Sequence, residues 1–267
     1  MRRWPIALSW LLALALACAP QADDDASARD AAAPDGGLPE DAASAVDAAS
    51  VAPPDAHGGG DASVDPIAGW ARYTIAPGAH AATLATGSAG NPRGGLVTGI
   101  AARDYDLAFD PSAKYVITHP TEPEDQLDWN KLPGLSDCGT IDLAADGAMF
   151  GWRWRLDVTP PVLEVTAYAN DAGKHLTPEA PMITLDAADL ASITPLRYRL
   201  RMDGAVYRFD ISGKVRGRAI DVSATLPRRC ATTAPSTLGI QWAAGFYFGG
   251  TSVSPAVITA RIFERAP

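Results

Sequence analysis

The chain has 267 residues, 47% of them hydrophobic, and a formal net charge of −9. Eleven acidic residues against three basic ones lie before Pro66, so the charge excludes neither a balanced folded part nor an anionic ligand for it. The length suits one β-domain of about 200 residues with accessory segments.

Arg2 and Arg3 precede an apolar run from Trp4 to Ala17 that ends in small residues at Cys18. This predicts a secretory leader over residues 1–17, too short to span a bilayer comfortably. Leu14-Ala15-Leu16-Ala17-Cys18 resembles a bacterial lipobox, which implies cleavage before Cys18 and lipidation of that cysteine. Ala19 after the cysteine is similar to the sorting state of outer-membrane lipoproteins. The expected address is therefore the bacterial outer membrane, through a lipid anchor, on its periplasmic side or at the cell surface. An ordinary leader with an incidental cysteine is the alternative. Outside the cytoplasm, nucleic acid is not an expected partner.

Residues 18–66 are mostly Ala, Asp, Pro, Gly and Ser, without apolar periodicity, and are predicted to be a disordered tether. A flexible coil of that length holds a domain on the order of 40 Å from its anchor. With Cys18 lipidated, Cys138 and Cys230 remain. In an oxidising compartment such a pair predicts a disulfide, with two separately buried thiols as the alternative.

From residue 67 the chain reads as strands. Trp70 to Ile75, Val97 to Phe109 and Lys114 to Thr118 come first, and Pro120 to Gln126 is an acidic loop without the ligand spacing of a calcium site. No metal and no cofactor is predicted. Phe150, Trp152, Trp154 and Leu156 then alternate with Gly151, Arg153, Arg155 and Asp157, and Leu163, Val165, Ala167 and Ala169 repeat the pattern after Thr159-Pro160-Pro161. Leu156 is expected opposite Leu163 and Trp154 opposite Val165, with Arg155 against Glu164 and Arg153 against Thr166. The polar face then carries Arg153, Arg155, Glu164, Thr166, Tyr168 and Asn170. In a second hairpin, Asp203-Gly204 predicts a two-residue turn that sets Met202 opposite Ala205 and, less comfortably, Arg199 opposite Arg208. Gly217 to Ala224, Leu238 to Phe248 and Ala256 to Glu264 supply closing strands. With almost no helical pattern, the fold class is all-β, an antiparallel two-sheet β-sandwich of jelly-roll type over residues 67–267.

Lys131-Leu-Pro-Gly-Leu135, a Gly-containing loop with a Cys, Trp152-Arg153, Tyr168 and Phe246-Tyr-Phe-Gly-Gly250 together resemble the alginate-lyase-like proteins of polysaccharide lyase family fourteen. The resemblance runs from about Lys114 to Phe263. It implies a jelly roll whose concave face receives an acidic, uronate-containing polysaccharide, and cleavage of that chain by β-elimination. Such chemistry needs neutralisation of the sugar carboxylate, a base for the C5 proton and an acid for the leaving O4. The family's lysine and second tyrosine match Lys131 and Tyr168, the expected catalytic pair. Its Ser-x-Arg positions hold Gly147 and Met149 here, and its first tyrosine position holds Thr166. Arg153, Arg155, Thr166 and Asn170 are the expected substrate-binding residues, Arg153 standing in for the missing cation. His119 and His175 are possible bases by type, but both sit in apparent loops and are read as exposed histidines without function. A non-catalytic lectin-like module and a structural or protein-interaction role are the alternatives, and the sequence says nothing of oligomeric state.

Overall fold

The computed structural model describes residues 67–85, 94–230 and 240–265. The predicted leader at 1–17, the tether at 18–66 and the lipidation site Cys18 lie outside the described residues.

The chain runs through β1 (Ala71–Ile75), β2 (Thr83–Leu84), β3 (Gly95–Thr98) and β4 (Ala102–Phe109). Short 3-10 turns lead to β5 (Asn130–Lys131), β6 (Gly134–Ser136), β7 (Gly147–Arg155) and β8 (Val162–Asp171). After β9 (Lys174–Leu176) and β10 (Ile183–Leu185) comes a short helix, α1 (Ala187–Ala191). The last five strands are β11 (Leu196–Asp203), β12 (Val206–Val215), β13 (Arg218–Pro227), β14 (Ile240–Ala244) and β15 (Ile258–Glu264).

One sheet has the order β13-β12-β11-β4-β15-β1-β2, and the other β10-β8-β7-β6-β14-β3, with β5 added against β7 and β9 against β8. Pairing is antiparallel throughout. The two sheets face each other as a sandwich of the jelly-roll class. The predicted core face of β7 and β8 is the observed one: Phe150, Trp152, Leu163, Val165, Ala167 and Ala169 are fully buried. Phe150 meets Tyr198 and Phe209 of the opposite sheet edge-on, each at 5.2 Å between ring centroids, and Trp152 meets Phe109 at 5.4 Å.

Both hairpins slide by two residues from the expected register. In the first, Trp154 stands opposite Leu163, Trp152 opposite Val165 and Arg153 opposite Glu164, while Thr166 faces Gly151. Leu156 is 40% exposed and has left the sheet, because the pairing ends at Arg155 and Val162 on either side of the proline-rich turn. In the second, Asp203 pairs with Val206, so the turn residues are Gly204 and Ala205. Gly204 has a φ of +56° at the first central position, where a type II′ turn places its glycine. Arg199 therefore faces Asp210, and the like-charged pair is Arg201 with Arg208. Arg201 is drawn to Asp210, and Arg208 reaches Asp203 at 3.1 Å.

Three strand expectations change, and in the first the strand expected over Leu238 to Phe248 ends at Ala244, leaving Tyr247 in isolated bridges to Ala81 and Lys131. Val97 to Phe109 is broken at Gly99, whose φ of +64° turns the chain from β3 in one sheet to β4 in the other. Lys114 to Thr118 forms no strand. It is apolar because Tyr115 is buried beneath Trp152 and Phe248, with ring centroids 5.8 and 4.9 Å away.

Cys138 and Cys230 form the expected disulfide, their Cα atoms 5.4 Å apart and 92 residues apart in sequence. Beside it Asp137, fully buried, accepts from Arg228 Nε at 2.6 Å and from the Tyr207 hydroxyl at 2.8 Å. Replacing both cysteines by serine is expected to cost about 4 kcal/mol, since a loop of this size is then open in the unfolded chain. Urea denaturation of the oxidised protein and of the double variant measures the difference.

Candidate active site

A groove of about 780 Å³ opens on the outer face of the second sheet, lined among others by Lys131, Tyr168, Asn170, His175, Trp242 and Tyr247. Its geometry begins at β5. Lys131 is paired with Gly151 of β7 on one side. On the other, its N–H donates to Tyr247 O at 2.8 Å and its carbonyl accepts from Tyr247 N at 3.0 Å. Gly249 comes so close behind Trp129 that a Cβ would lie 2.2 Å from the Trp129 carbonyl oxygen. The Lys131 side chain is thereby turned into the groove, where Nζ donates to Trp129 O and lies 3.9 Å from the centroid of the Tyr168 ring. Burial brings the lysine down to about 8, with Asp128 pulling in the opposite direction.

Tyr168 lies on β8 across from Met149 and is 4% exposed. Burial, reinforced by Asp128, pushes its hydroxyl up to about 12, so it is held as the phenol. Its oxygen is 2.6 Å from His175 Nδ1, and the same nitrogen is 2.7 Å from Asn170 Oδ1. The direction of these bonds follows from Asn170. Its Nδ2 donates to Leu143 O at 2.6 Å, which fixes the amide so that Oδ1, an acceptor, faces the imidazole. His175 Nδ1 must then carry the proton, Tyr168 Oη must accept, and the phenol's own hydrogen is left to point elsewhere. Asp128, which also lines the groove, has its carboxyl raised by burial and by neighbouring Asp125.

The structure thus brings together Lys131, Tyr168 and Asn170 of the residues expected from sequence, and it does not bring Arg153, Arg155 or Thr166 to the groove. Arg153 donates to Glu164 Oε2 at 2.8 Å and to Leu127 O at 2.7 Å, and its guanidinium lies 3.9 Å over the Trp129 ring. Arg155 is held by Asp157 at 2.6 Å and Glu164 at 3.0 Å. Thr166 is buried, its hydroxyl without a hydrogen-bond partner. Arg153 therefore does not line the groove, whereas Met149 does. Gly147 has its own reason: a Cβ there would sit 2.7 Å from Leu135 O, so the backbone leaves no room for serine.

His175, expected as an idle loop residue, is on β9, directly opposite Asn170. The signal was the turn before it, where Ala172 and Gly173 take φ of +50° and +77° and fold the chain back after Asp171. Trp242 and Tyr247, 41% and 40% exposed, form the other wall of the groove. Tyr247 stacks on His80 with centroids 5.4 Å apart.

No protein-family model and no curated protein matches the chain. Among solved structures, an alginate lyase determined as a double mutant in complex with alginate tetrasaccharide is similar at 12% identity and a TM-score of 0.35, over 72% of this chain and 78% of its own. The CBM2 module of the evolved Dit of Lactobacillus casei BL23 phage J-1 is similar at 10% identity and a TM-score of 0.32, over 64% and 65% respectively. Tailspike protein 2 of an Escherichia coli O157:H7 bacteriophage is similar at 7% identity and 0.31, over 73% of this chain and 24% of that one.

The hydrogen-bond assignment is checked by nitrogen-15 NMR of the neutral His175 ring, where Nδ1 is expected to be protonated and Nε2 not. Asn170→Ala removes the acceptor that holds this tautomer, and the ring is expected to shift toward the Nε2-protonated form. An unprotonated Nδ1 in the unmodified protein would reverse the direction assigned to the Tyr168 bond.

Proposed function

We propose that the groove binds an acidic, uronate-containing polysaccharide and cleaves it by β-elimination, with Lys131 as base and Tyr168 as acid. The observation that carries this is the contact in one groove of a half-buried lysine, lowered to about 8, with a buried phenol, raised to about 12. A base has to be unprotonated and an acid protonated at working pH, and burial moves these two groups in those directions.

In this reading neutral Lys131 takes the C5 proton of the uronate. The released electron pair forms the C4–C5 double bond as the C4–O4 bond breaks, and Tyr168 delivers its hydroxyl proton to O4. Two products result, one bearing the unsaturated sugar, and transfer of a proton back from solvent to Tyr168 and from Lys131 to solvent resets the site. His175 donates to Tyr168 Oη and so steadies the phenolate that forms. The Asn170 amide has a second hydrogen beyond the one given to Leu143, available to the sugar carboxylate.

One observation favours a second reading, a glycan-binding groove without turnover. Met149, directly opposite Tyr168, supplies no charge to the substrate carboxylate at the position where the resemblance has arginine. The anchoring of the chain through Cys18 at the outer membrane is proposed alongside, on the lipobox alone. It predicts fatty-acid labelling that disappears in Cys18→Ser.

The test follows absorbance of the unsaturated product on a panel of uronate polysaccharides. kcat/KM is expected to rise with pH through about 8, as Lys131 loses its proton. Lys131→Arg keeps a cation but has no accessible neutral form, so turnover is expected to fall by roughly two to four orders of magnitude while binding persists. Binding without product in the unmodified protein would select the lectin reading, and unaltered turnover in Lys131→Arg would remove lysine from the role of base.

A further inference from the structure

The charge of the groove bears on which acidic polysaccharide it takes. Among the described residues lining it, lysine and arginine are represented by Lys131 alone, and Asp128 stands against it. The arginines of β7 on the same face are committed elsewhere, Arg153 to Glu164 and Arg155 to Glu164 and Asp157, and Arg229 is paired with Asp146 and Asp171. The rest of the wall is largely apolar, and its two exposed aromatic side chains, Trp242 and Tyr247, are the kind of surface on which the C–H face of a neutral sugar lies. At about 780 Å³ the groove is larger than one sugar ring needs, so neighbours of the reacting sugar are enclosed with it.

A homopolymer of uronates carries a carboxylate on every sugar. Each carboxylate beyond the first would lose water inside this groove without a cation to meet it, and an unpaired charge is costly to bury. A polymer whose uronates are spaced by neutral sugars brings a single carboxylate, which the second Asn170 amide hydrogen meets while Lys131 stays neutral as the base. We infer that the groove selects polysaccharides in which an isolated uronate is flanked by neutral sugars, the uronate at Lys131 and Tyr168 and a neutral neighbour on Trp242 and Tyr247. This rests on the uronate-binding reading of the groove given above.

The experiment keeps the glycosidic linkage constant and varies only the charge spacing. Alginate and polyglucuronate are each used intact, with part of their carboxyl groups reduced to alcohols, and fully reduced; deacylated gellan, with one glucuronate among neutral sugars, is added as a natural case. KM is measured with the full-length chain, or Kd by calorimetry where no product forms. The expected result is a minimum in KM or Kd at partial reduction, at least about tenfold below the intact polymer, and loss of activity on full reduction. Binding of the partly reduced polymer should change little with salt, since its one carboxylate is held by an amide hydrogen and not by an ion pair, and Trp242→Ala should raise its KM about tenfold with kcat near its starting value. Tightest binding to the intact homopolymers would overturn the inference and leave the uronate reading standing. Absence of both binding and product across the whole series would overturn the uronate reading, and this inference with it.

Discussion

Asn130 is 1% exposed, and both ends of its amide are taken. Its Nδ2 donates to the Tyr115 hydroxyl at 2.9 Å, and its Oδ1 accepts from Gly249 N at 2.8 Å. That one side chain ties a two-residue strand to a distant segment which is not itself part of a sheet ladder. The neighbouring Lys131–Tyr247 backbone pair and the contact of Gly249 with the Trp129 carbonyl depend on the same closeness. A buried amide left half satisfied is expensive, so the arrangement is held in all of its parts or in none. The position of Lys131 over the Tyr168 ring follows from this packing, as does the loss of solvent that lowers its proton affinity.

The floor of the groove is connected to the opposite sheet by a buried cation. Arg103 of β4 is 2% exposed, is paired with the equally buried Glu264 of β15, and donates to the carbonyls of Gly134 and Ala244 on the second sheet. Ala244 also lines the groove. Burying such a pair yields little net stability, because desolvation opposes the attraction. Its effect is on geometry: two carbonyls of adjacent strands β6 and β14 are fixed relative to β4 by a planar donor that tolerates little displacement. Gly134 in turn lets β6 lie close against β7, for a Cβ there would fall 2.3 Å from Ala148 O.

The sandwich was legible in the sequence because period-two alternation decides which side chains face inward, and that pattern is strong in Phe150 to Trp154 and Leu163 to Ala169. The same pattern is blind to a slip of two residues, which leaves every side chain on its face while changing every partner. Both hairpins slipped by that amount. Only the turn distinguishes the alternatives, and in the second hairpin the decision lay in whether Gly204 is the first or the second central residue. The groove was legible where a motif pointed to it, to the extent that Lys131 and Tyr168 both line it and touch. It was not legible where function depended on partners far apart in sequence: Arg153 and Arg155 are arginines on the expected face, yet Glu164 and Asp157 hold them there. His175 entered the site through cross-strand pairing with Asn170, which local composition did not announce.

Trp129 divides this outer face into two electrostatic environments. It lines the groove, covers Gly151, where a Cβ would come within 3.2 Å of its ring, and carries the Arg153 guanidinium against its indole. Beyond it lies a compensated ion network of Arg153, Arg155, Glu164 and Asp157 with little field to offer a ligand. On the groove side the polar atoms are few, and each is placed by another: Lys131 by Tyr247 and Trp129, Tyr168 by His175, His175 by Asn170, and Asn170 by Leu143. A chain of dependent bonds anchored on the buried Tyr168 and Asn170 fixes proton positions more firmly than a cluster of surface charges does, since a buried polar group that loses its partner is costly. Counting charged residues along the sequence therefore gives the wrong picture of this groove, whose proposed chemistry rests on one lysine, one phenol and the directions of the hydrogen bonds around them.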